Sequence, residues 1–152
     1  MPNYKGHLLG GVILYGGVIL AFALYSRSLW CLAEWLACTL LGSLFPDIDT
    51  KSKGQKLVYC GLFATALLLL CLQNFVMLAY LGLAALVPLV TNHRGLFHKL
   101  WFLVVLVVAG VAGITMLYPY AYCRIFTNAL FFLVGVISHL WLDLGFVRMF
   151  RG

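Results

Sequence analysis

Residues 125–147 read IFTNALFFLVGVISHLWLDLGFV, a run of 23 residues that contains one acidic side chain and no Lys or Arg. A helix needs about 20 apolar residues, within a range of about 17–25, to cross the hydrocarbon core of a bilayer. The run therefore predicts a transmembrane helix. His139 and Asp143 are spaced i, i+4 within it, so both side chains lie on one face of that helix.

The composition of the whole chain agrees with this reading. The protein has 152 residues, of which 64% are hydrophobic and 9% are charged, and its mean hydropathy is +1.06. Ordinary soluble domains carry about 25% charged residues. These values exclude a disordered chain, a coiled coil and an ordinary cytosolic enzyme. They predict an all-α polytopic membrane protein, with residues 1–152 forming a single membrane-embedded domain.

Six apolar runs fit this class, and they cover residues 8–25, 29–45, 57–72, 75–90, 100–118 and 125–147. The third and fourth runs are short. As one helix, residues 57–90 would reach about 50 Å, which is far longer than the bilayer core. We therefore predict a helical hairpin that turns at Gln73-Asn74 and does not need to reach the far surface. Gly10, Gly11, Gly16 and Gly17 predict a small-residue packing face on the first helix.

The basic residues predict the orientation. With a cytoplasmic N-terminus, two of the ten Lys and Arg residues, Arg27 and Arg124, fall in outside loops. Eight fall in inside segments, and they are Lys5, Lys51, Lys53, Lys56, Arg94, Lys99, Arg148 and Arg151. Cytoplasmic loops carry an excess of Lys and Arg. We therefore expect six spans with both termini in the cytoplasm.

The sequence does not favour three alternative interpretations: nucleic-acid binding, a framework of disulfides or zinc, and a cleaved signal peptide. The basic residues are scattered rather than gathered on one helix, so we expect no nucleic-acid partner. The five cysteines have no CxxC spacing and an odd count, which argues against a disulfide framework or a zinc ribbon. The segment from Lys5 to Ala23 loosely imitates a signal peptide, but we expect it to be retained.

Seven of the eight Asp, Glu and His residues fall into four short clusters, namely His7, Asp47 with Asp49, His93 with His98, and His139 with Asp143. The predicted topology places all four clusters on the cytoplasmic side, with His7 just before the first span. This agreement is informative because the topology rests on Lys and Arg alone. Glu34 lies about 20 Å from Asp47 along the second helix, so we expect it near the outer face with Arg27 as its partner.

Each cluster also has a simpler explanation. His139 and Asp143 could form a private hydrogen bond, although an Asp near the bilayer centre costs about 2.5–3.5 kcal/mol and needs a partner. Asp47 and Asp49 could cap a helix, with Lys51, Lys53 and Lys56 balancing their charge. The histidine pair could lie in a solvated loop. Together, however, seven ligands on one side favour a common site.

Mixed imidazole and carboxylate ligands suit Zn better than Mg or Ca, with Mn and Fe(II) as alternatives. Seven ligands exceed the need of one tetrahedral ion, so the sequence predicts one or two divalent ions. Such a centre lowers the pKa of a bound water, and Asp47, Asp49, His139 and Asp143 are the candidate catalytic residues. Arg94 and Lys99 are candidates to bind a substrate phosphate, or they act only as topological anchors.

Four motifs occur in order along the chain: His-x-x-x-Gly from His7, Pro-Asp-x-Asp from Pro46, His-Arg-Gly-x-x-His from His93 and Ser-His-x-x-x-Asp from Ser138. In this order the chain resembles the YdjM family of inner-membrane, metal-dependent hydrolases, from His7 to Asp143. The resemblance implies a bacterial inner-membrane hydrolase. It also implies that the metal ligands are His7, Asp47, Asp49, His93, His98, His139 and Asp143.

The chain departs from the family pattern at the third motif. Where the family usually has Thr-His-Ser, this sequence has Phe97-His98-Lys99. Two hydroxyl groups are replaced, and a cation is gained. The His139-x-x-x-Asp143 helix also looks like the metal-binding helices of zinc-dependent phospholipases C, which implies phosphoester hydrolysis.

The preferred hypothesis is a metal-dependent phosphoesterase that acts on a lipid or another membrane-associated small-molecule substrate at the cytoplasmic interface. A divalent-metal transporter is the alternative, and it requires polar groups across the whole bilayer. A non-catalytic protein in which a metal ties the helices together is a third hypothesis, and it requires a closed ligand shell. The oligomeric state is left open by the sequence.

Overall fold

The computed structural model describes residues 3–22, 27–49, 52–90 and 96–145, without the side chains of Asp49, Val87, Leu89 and Val90. Within these residues the chain is helical and forms no strand, which confirms the all-α class. The six α-helices are α1 (Tyr4–Ala21), α2 (Leu29–Leu44), α3 (Lys53–Cys71), α4 (Phe75–Val90), α5 (Leu100–Leu117) and α6 (Tyr122–Leu144). Short 3-10 helices cover Phe45–Asp49, Leu96–His98 and Pro119–Ala121.

Five segments of the described chain are long and apolar enough to cross a membrane, and they correspond to α1, α2, α3, α5 and α6. The helix α4 is shorter, with 16 residues from Phe75 to Val90. This difference agrees with the prediction of a hairpin that need not reach the far surface. The structure is therefore that of a polytopic membrane protein.

Three helices begin earlier than the apolar runs predict. α1 starts at Tyr4 rather than residue 8, so His7 lies inside the helix and not before it. α3 starts at Lys53 because the Ser52 side chain accepts a hydrogen bond from the Gln55 N–H at 3.0 Å. Hydropathy marks the part of a helix that lies in lipid, whereas a cap marks its end.

The helices α2 and α6 form the centre of the bundle and cross at two glycines. A Cβ atom on Gly135 would collide with the Thr39 carbonyl and lie 2.7 Å from the Ser43 nitrogen. A Cβ on Gly42 would collide with the Phe132 carbonyl. The two backbones are thus in direct contact, which is how helices pack in membranes where small residues meet.

The helix α1 packs on this pair through part of its predicted glycine face. A Cβ on Gly10 would lie 2.9 Å from the Ser138 hydroxyl, and one on Gly11 would lie 3.1 Å from the Ser43 Cβ. Gly16 and Gly17 face open space. The prediction is therefore right for the first two glycines and wrong for the other two, because α1 packs on its neighbours in that half through Tyr15 and Ile19 and not through the glycines.

The hairpin between α3 and α4 turns where the sequence predicts. α3 ends at Cys71, Gln73 adopts a left-handed conformation with φ of 55°, and α4 begins at Phe75. The Asn74 side chain accepts a hydrogen bond from the Met77 N–H at 3.1 Å, so it caps α4. Its amide also donates to the Tyr118 hydroxyl at 3.1 Å, which ties the turn to the end of α5.

Two buried apolar clusters hold the bundle together. One lies at the end that carries His7, and it is formed by Leu44, Ile48, Val58, Phe97, Leu103, Val136 and Leu140. The other lies near the opposite end, where Trp35 stacks on Phe131 with ring centroids 4.8 Å apart. Many large apolar side chains, such as Leu68 and Val105, point outward, as expected for helices whose solvent is lipid.

Candidate metal centre

Asp47 is positioned by a change of helix type. Pro46 has no N–H and so cannot continue the α-helical ladder to the Gly42 carbonyl; the Phe45 N–H donates to that carbonyl instead. The chain tightens into the 3-10 helix Phe45–Asp49 and buries Ile48 almost completely. The Gln55 side chain donates to the Ile48 carbonyl at 2.8 Å, which fixes this segment to the start of α3.

His139 is held in one orientation by a backbone contact across the bundle. Its Nδ1 lies 2.8 Å from the Ser43 carbonyl oxygen. A carbonyl only accepts, so Nδ1 carries the proton and Nε2 is left with a free lone pair. This is the usual support for a histidine that binds a metal. Ser43 is not among the residues predicted from the sequence; the signal for it is Pro46, which cannot donate a hydrogen bond to the carbonyl three residues earlier.

His98 reaches the same place from the 3-10 helix before α5. Phe97, next to it, is fully buried and packs edge-on against Phe45 and Phe102, with ring centroids 5.8 and 5.4 Å away. The aromatic anchor therefore sets the direction of His98. Its ring meets that of His139 at a centroid distance of 5.8 Å.

Four predicted residues, Asp47, His98, His139 and Asp143, form one group whose ligand atoms all lie within 4.8 Å of one another. The His139 Nε2 is 3.4 Å from Asp143 Oδ2 and 3.8 Å from Asp47 Oδ1. The His98 Nε2 is 3.9 Å from each of the same two oxygens. Ligands about 2.1 Å from a tetrahedral zinc ion lie about 3.4 Å from one another, so this spacing suits a divalent ion.

The hydrogen bonding within the group also fits a metal. Three of its buried atoms, the His98 Nδ1, the His139 Nε2 and the Asp143 Oδ1, have no hydrogen-bond partner among the described residues. Buried polar atoms in native proteins are nearly always satisfied, and an ion is one explanation for those that are not. The chemistry of two imidazoles and two carboxylates is that of zinc, manganese or iron sites.

The group is closed on one side and open on the other. The His139 side chain is fully buried and that of Asp143 is 3% exposed, whereas those of His98 and Asp47 are 14% and 23% exposed. Water or a substrate can therefore approach past Asp47 and His98. A site that serves only to tie helices together would be closed.

His7 lies at the edge of the group rather than within it. Its ring stacks on that of His139 with centroids 3.9 Å apart and planes 16° from parallel. Its Nε2 lies 3.5 Å from Asp143 Oδ1, the oxygen that faces away from His98 and His139. The Asp143 carboxylate thus presents one oxygen to the group of four and the other to His7.

Some of the predicted site residues cannot be placed. His93 and Arg94 lie outside the described residues, and the side chain of Asp49 is not described. Lys99 is described: it is the N-cap of α5, directly after His98, and it is half-buried. Its role in substrate binding stays a prediction.

Glu34 lies away from the group, as the sequence predicts, but with a different partner. Both of its carboxylate oxygens accept from the Arg124 Nε, at 2.9 and 3.0 Å, and the Asn128 amide donates to it at 2.6 Å. The expected pair with Arg27 is replaced by one with Arg124. The reason is that α2 and α6 lie in contact, so the nearest cation is 90 residues away in sequence.

One of three comparisons with known proteins identifies a family. No curated protein and no solved structure matches this chain. The family model described as YdjM inner membrane protein matches residues 1–148, a range that contains all the motifs with histidine and aspartate. The chain therefore belongs to the YdjM inner membrane protein family.

Proposed function

We propose that this protein is a membrane-bound, metal-dependent hydrolase that cleaves a phosphoester in a lipid or another membrane-associated substrate. The observation that carries the proposal is the group of Asp47, His98, His139 and Asp143, which is closed on its inner side and open past Asp47 and His98. A divalent ion bound there supplies a water of lowered pKa and a positive charge for a phosphoryl oxygen.

Individual side chains have separate roles in the proposed reaction. Asp143 and His139 hold the ion from the buried side. Asp47 is the most exposed of the four, so it is the side chain that orients the attacking water and accepts its proton. Lys99, at the open side, neutralises charge on the phosphate. Asp49, His93 and Arg94 stay predicted members of the site, and His7 with Asp143 would hold a second ion.

The excess of Lys and Arg in the segments predicted to be cytoplasmic favours a site that opens to the cytoplasm, where lipid headgroups and soluble substrates would both be within reach. The transporter hypothesis receives less support. Between Glu34 and Asp47 on α2, and between Arg124 and His139 on α6, the sequence has no Asp, Glu, His, Lys or Arg. An ion path would need such groups across the bilayer.

The first test is the metal content of the detergent-purified protein, measured by elemental mass spectrometry. We expect one or two equivalents of Zn, Mn or Fe in the native protein and none in the double variant His139→Ala, Asp143→Ala. Glu34→Gln is the matched control, because it removes an acidic residue from the same bundle at the opposite end. That variant should retain the metal.

The second step is turnover of phosphoester lipids by the metal-loaded protein, with inorganic phosphate or free headgroup as the product measured. The single variants His139→Ala and Asp143→Ala should each lose at least about 100-fold in rate, since even second-shell changes cost about 10–100-fold at metal sites. Absence of metal under metal-replete conditions, or full turnover in both variants, would overturn the proposal.

A further inference from the structure

A large apolar groove lies beside the metal centre, within the part of the bundle that spans the membrane. Its volume is about 660 Å³, and it separates the α3–α4 hairpin from α5. Its walls include Leu69 of α3, Ala84 of α4, and Leu106 and Gly110 of α5. Single-ligand sites in proteins have volumes of about 300–1,000 Å³, so the groove is the size of a binding site.

One end of the groove adjoins the metal centre. Phe45 and Phe132 line it, with ring centroids 5.2 Å apart. Phe45 is also in contact with Phe97, and these two residues come just before Pro46-Asp47 and His98 in the chain. The same aromatic rings therefore form the end of the groove and support two of the four candidate ligands.

The groove extends from that end toward the middle of the bilayer. Leu106 is eight residues beyond His98, and Phe132 is seven residues before His139, so this part lies about 10–12 Å deeper than the ligands. Leu106 and Ile114 both line the groove, and they are about 12 Å apart along α5. The groove thus runs along the helices, in the direction in which lipid chains lie.

The chemistry of the walls selects an apolar occupant. Thr65 and Tyr80 are the polar side chains of the lining, and the Thr65 hydroxyl is already bonded to the Gly61 carbonyl at 2.9 Å. Water would find few partners, and an empty gap would forfeit dispersion contacts along every wall.

Basic residues stand at the end of the bundle where a headgroup would lie. Lys53 and Lys56 are exposed in the first turns of α3, next to the segment that carries Asp47, and Lys99 follows His98. They complement an anionic headgroup. An apolar groove that leads to a basic rim around a metal centre matches one kind of molecule, a phospholipid with its phosphate at the centre.

We propose that the groove binds one acyl chain of the substrate, so that the substrate is a membrane phospholipid whose phosphate lies at Asp47, His98, His139 and Asp143. This inference rests on the proposed hydrolase function. The groove is then a second recognition element, about 10 Å from the reacting bond, and it distinguishes lipids from water-soluble phosphoesters.

Two glycines allow the inference to be tested without disturbing the metal centre. A Cβ atom on Gly110 or Gly113 would meet no atom within 4 Å, and both residues line the groove. Gly110→Leu and Gly113→Leu should therefore fill the groove and leave the fold intact. Gly61 and Gly82 also face open space but lie outside the lining, so Gly61→Leu and Gly82→Leu are matched controls.

The experiment uses the full-length, metal-loaded protein in nanodiscs that contain phosphatidic acid with a photoactivatable group in its acyl chain. Cross-linked residues are mapped by mass spectrometry. We expect cross-links to concentrate on Leu81, Ala84 and Leu106, and to fall at least about 5-fold in Gly110→Leu and Gly113→Leu but not in the controls. The groove variants should also lose at least about 10-fold in kcat/KM for long-chain lipid, and nothing for a soluble phosphoester.

The outcomes separate the two proposals. Cross-links spread evenly over the lipid-facing helices, or cross-links between two protein copies in the groove, would overturn the acyl-chain inference. Hydrolysis that is equally fast in the groove variants would also overturn it and leave the hydrolase proposal standing. Groove cross-links without any hydrolysis would support the binding site and contradict the hydrolase function.

Discussion

The carbonyl of Ser43 determines which nitrogen of His139 faces the other candidate ligands. Because Nδ1 donates to this oxygen at 2.8 Å, Nε2 points toward Asp47 and Asp143. Pro46 keeps the carbonyl from receiving a 3-10 hydrogen bond, since proline has no N–H. A proline thus acts on a histidine 93 residues away in sequence by leaving a backbone acceptor open to it.

The substitution Pro46→Ala tests this relation. The restored N–H competes for the Ser43 carbonyl, so the His139 ring loses its orientation and Asp47 shifts. We expect the dissociation constant for Zn to rise about 10–100-fold, the range typical of second-shell changes. Zn affinity is measured by competition with a chromophoric chelator.

Pro119→Ala is the matched control for this measurement. Pro119 begins a 3-10 helix at the opposite end of the bundle, so its loss should leave the zinc affinity unchanged. Equal zinc affinity in Pro46→Ala and the native protein would show that His139 does not depend on the open carbonyl.

At the level of the helices, the crossing of α2 and α6 brings together candidate metal ligands. α2 supplies the Ser43 carbonyl and leads into Asp47, whereas α6 carries His139 and Asp143. The two backbones touch at Gly42 and Gly135, where any side chain would collide with the facing helix. The glycines therefore set the distance between the two halves of the site.

Gly135→Ala should force the two helices apart. The added methyl group meets the Thr39 carbonyl and the Ser43 nitrogen, which are backbone atoms and cannot turn aside. Overpacking of this kind costs about 1–3 kcal/mol in the free energy of unfolding. We expect that loss in mixed-micelle unfolding, together with weaker metal binding.

Gly17→Ala provides the comparison for this change. Gly17 is also helical but faces open space, so alanine should stabilise the helix or leave it unchanged, within about 1 kcal/mol. Similar unfolding free energies for the two variants would contradict the idea that the close contact of α2 and α6 leaves no room for a side chain at Gly135.

At the scale of the whole molecule, the two ends of the bundle differ in chemistry. One end holds the four candidate ligands and His7, and the other holds the ion pair between Glu34 and Arg124. Between them the described helices pack through apolar and small residues. Because the two ends differ, the orientation of the molecule in the membrane decides which compartment the candidate site faces.

Single cysteines report this orientation in spheroplasts. In a variant without the five natural cysteines, all of which the structure shows as free, Tyr120→Cys marks the end opposite the metal centre and Lys53→Cys marks the metal end. The excess of Lys and Arg at the metal end predicts that a membrane-impermeant maleimide labels Tyr120→Cys in intact spheroplasts. Lys53→Cys should react only after the membrane is opened.

Solubilised protein, in which both cysteines are accessible, is the control for reactivity. Labelling of Lys53→Cys in intact spheroplasts, with Tyr120→Cys protected, would place the metal centre on the outer side. The cytoplasmic orientation would then be wrong, while the metal centre itself would be unaffected.

The sequence by itself was sufficient for the class of the protein, its six helices within the described residues, the α3–α4 turn and the four residues that the structure groups as candidate metal ligands. Hydropathy is a local property, and the i, i+4 spacing of His139 and Asp143 places them together before any packing is known. The common side of the four polar clusters followed from counting basic residues. Helix ends were less predictable, because caps such as Ser52 rather than hydropathy decide them.

Only the tertiary structure decided how the clusters meet. The position of His7 at the edge of the group, the hydrogen bond from His139 to Ser43, and the pairing of Glu34 with Arg124 rather than Arg27 all depend on which helices touch. Helix contacts arise from the shapes of whole faces, such as the crossing at Gly42 and Gly135, and not from any local spacing. The groove along α5 arises in the same way, as space that the packed helices leave open.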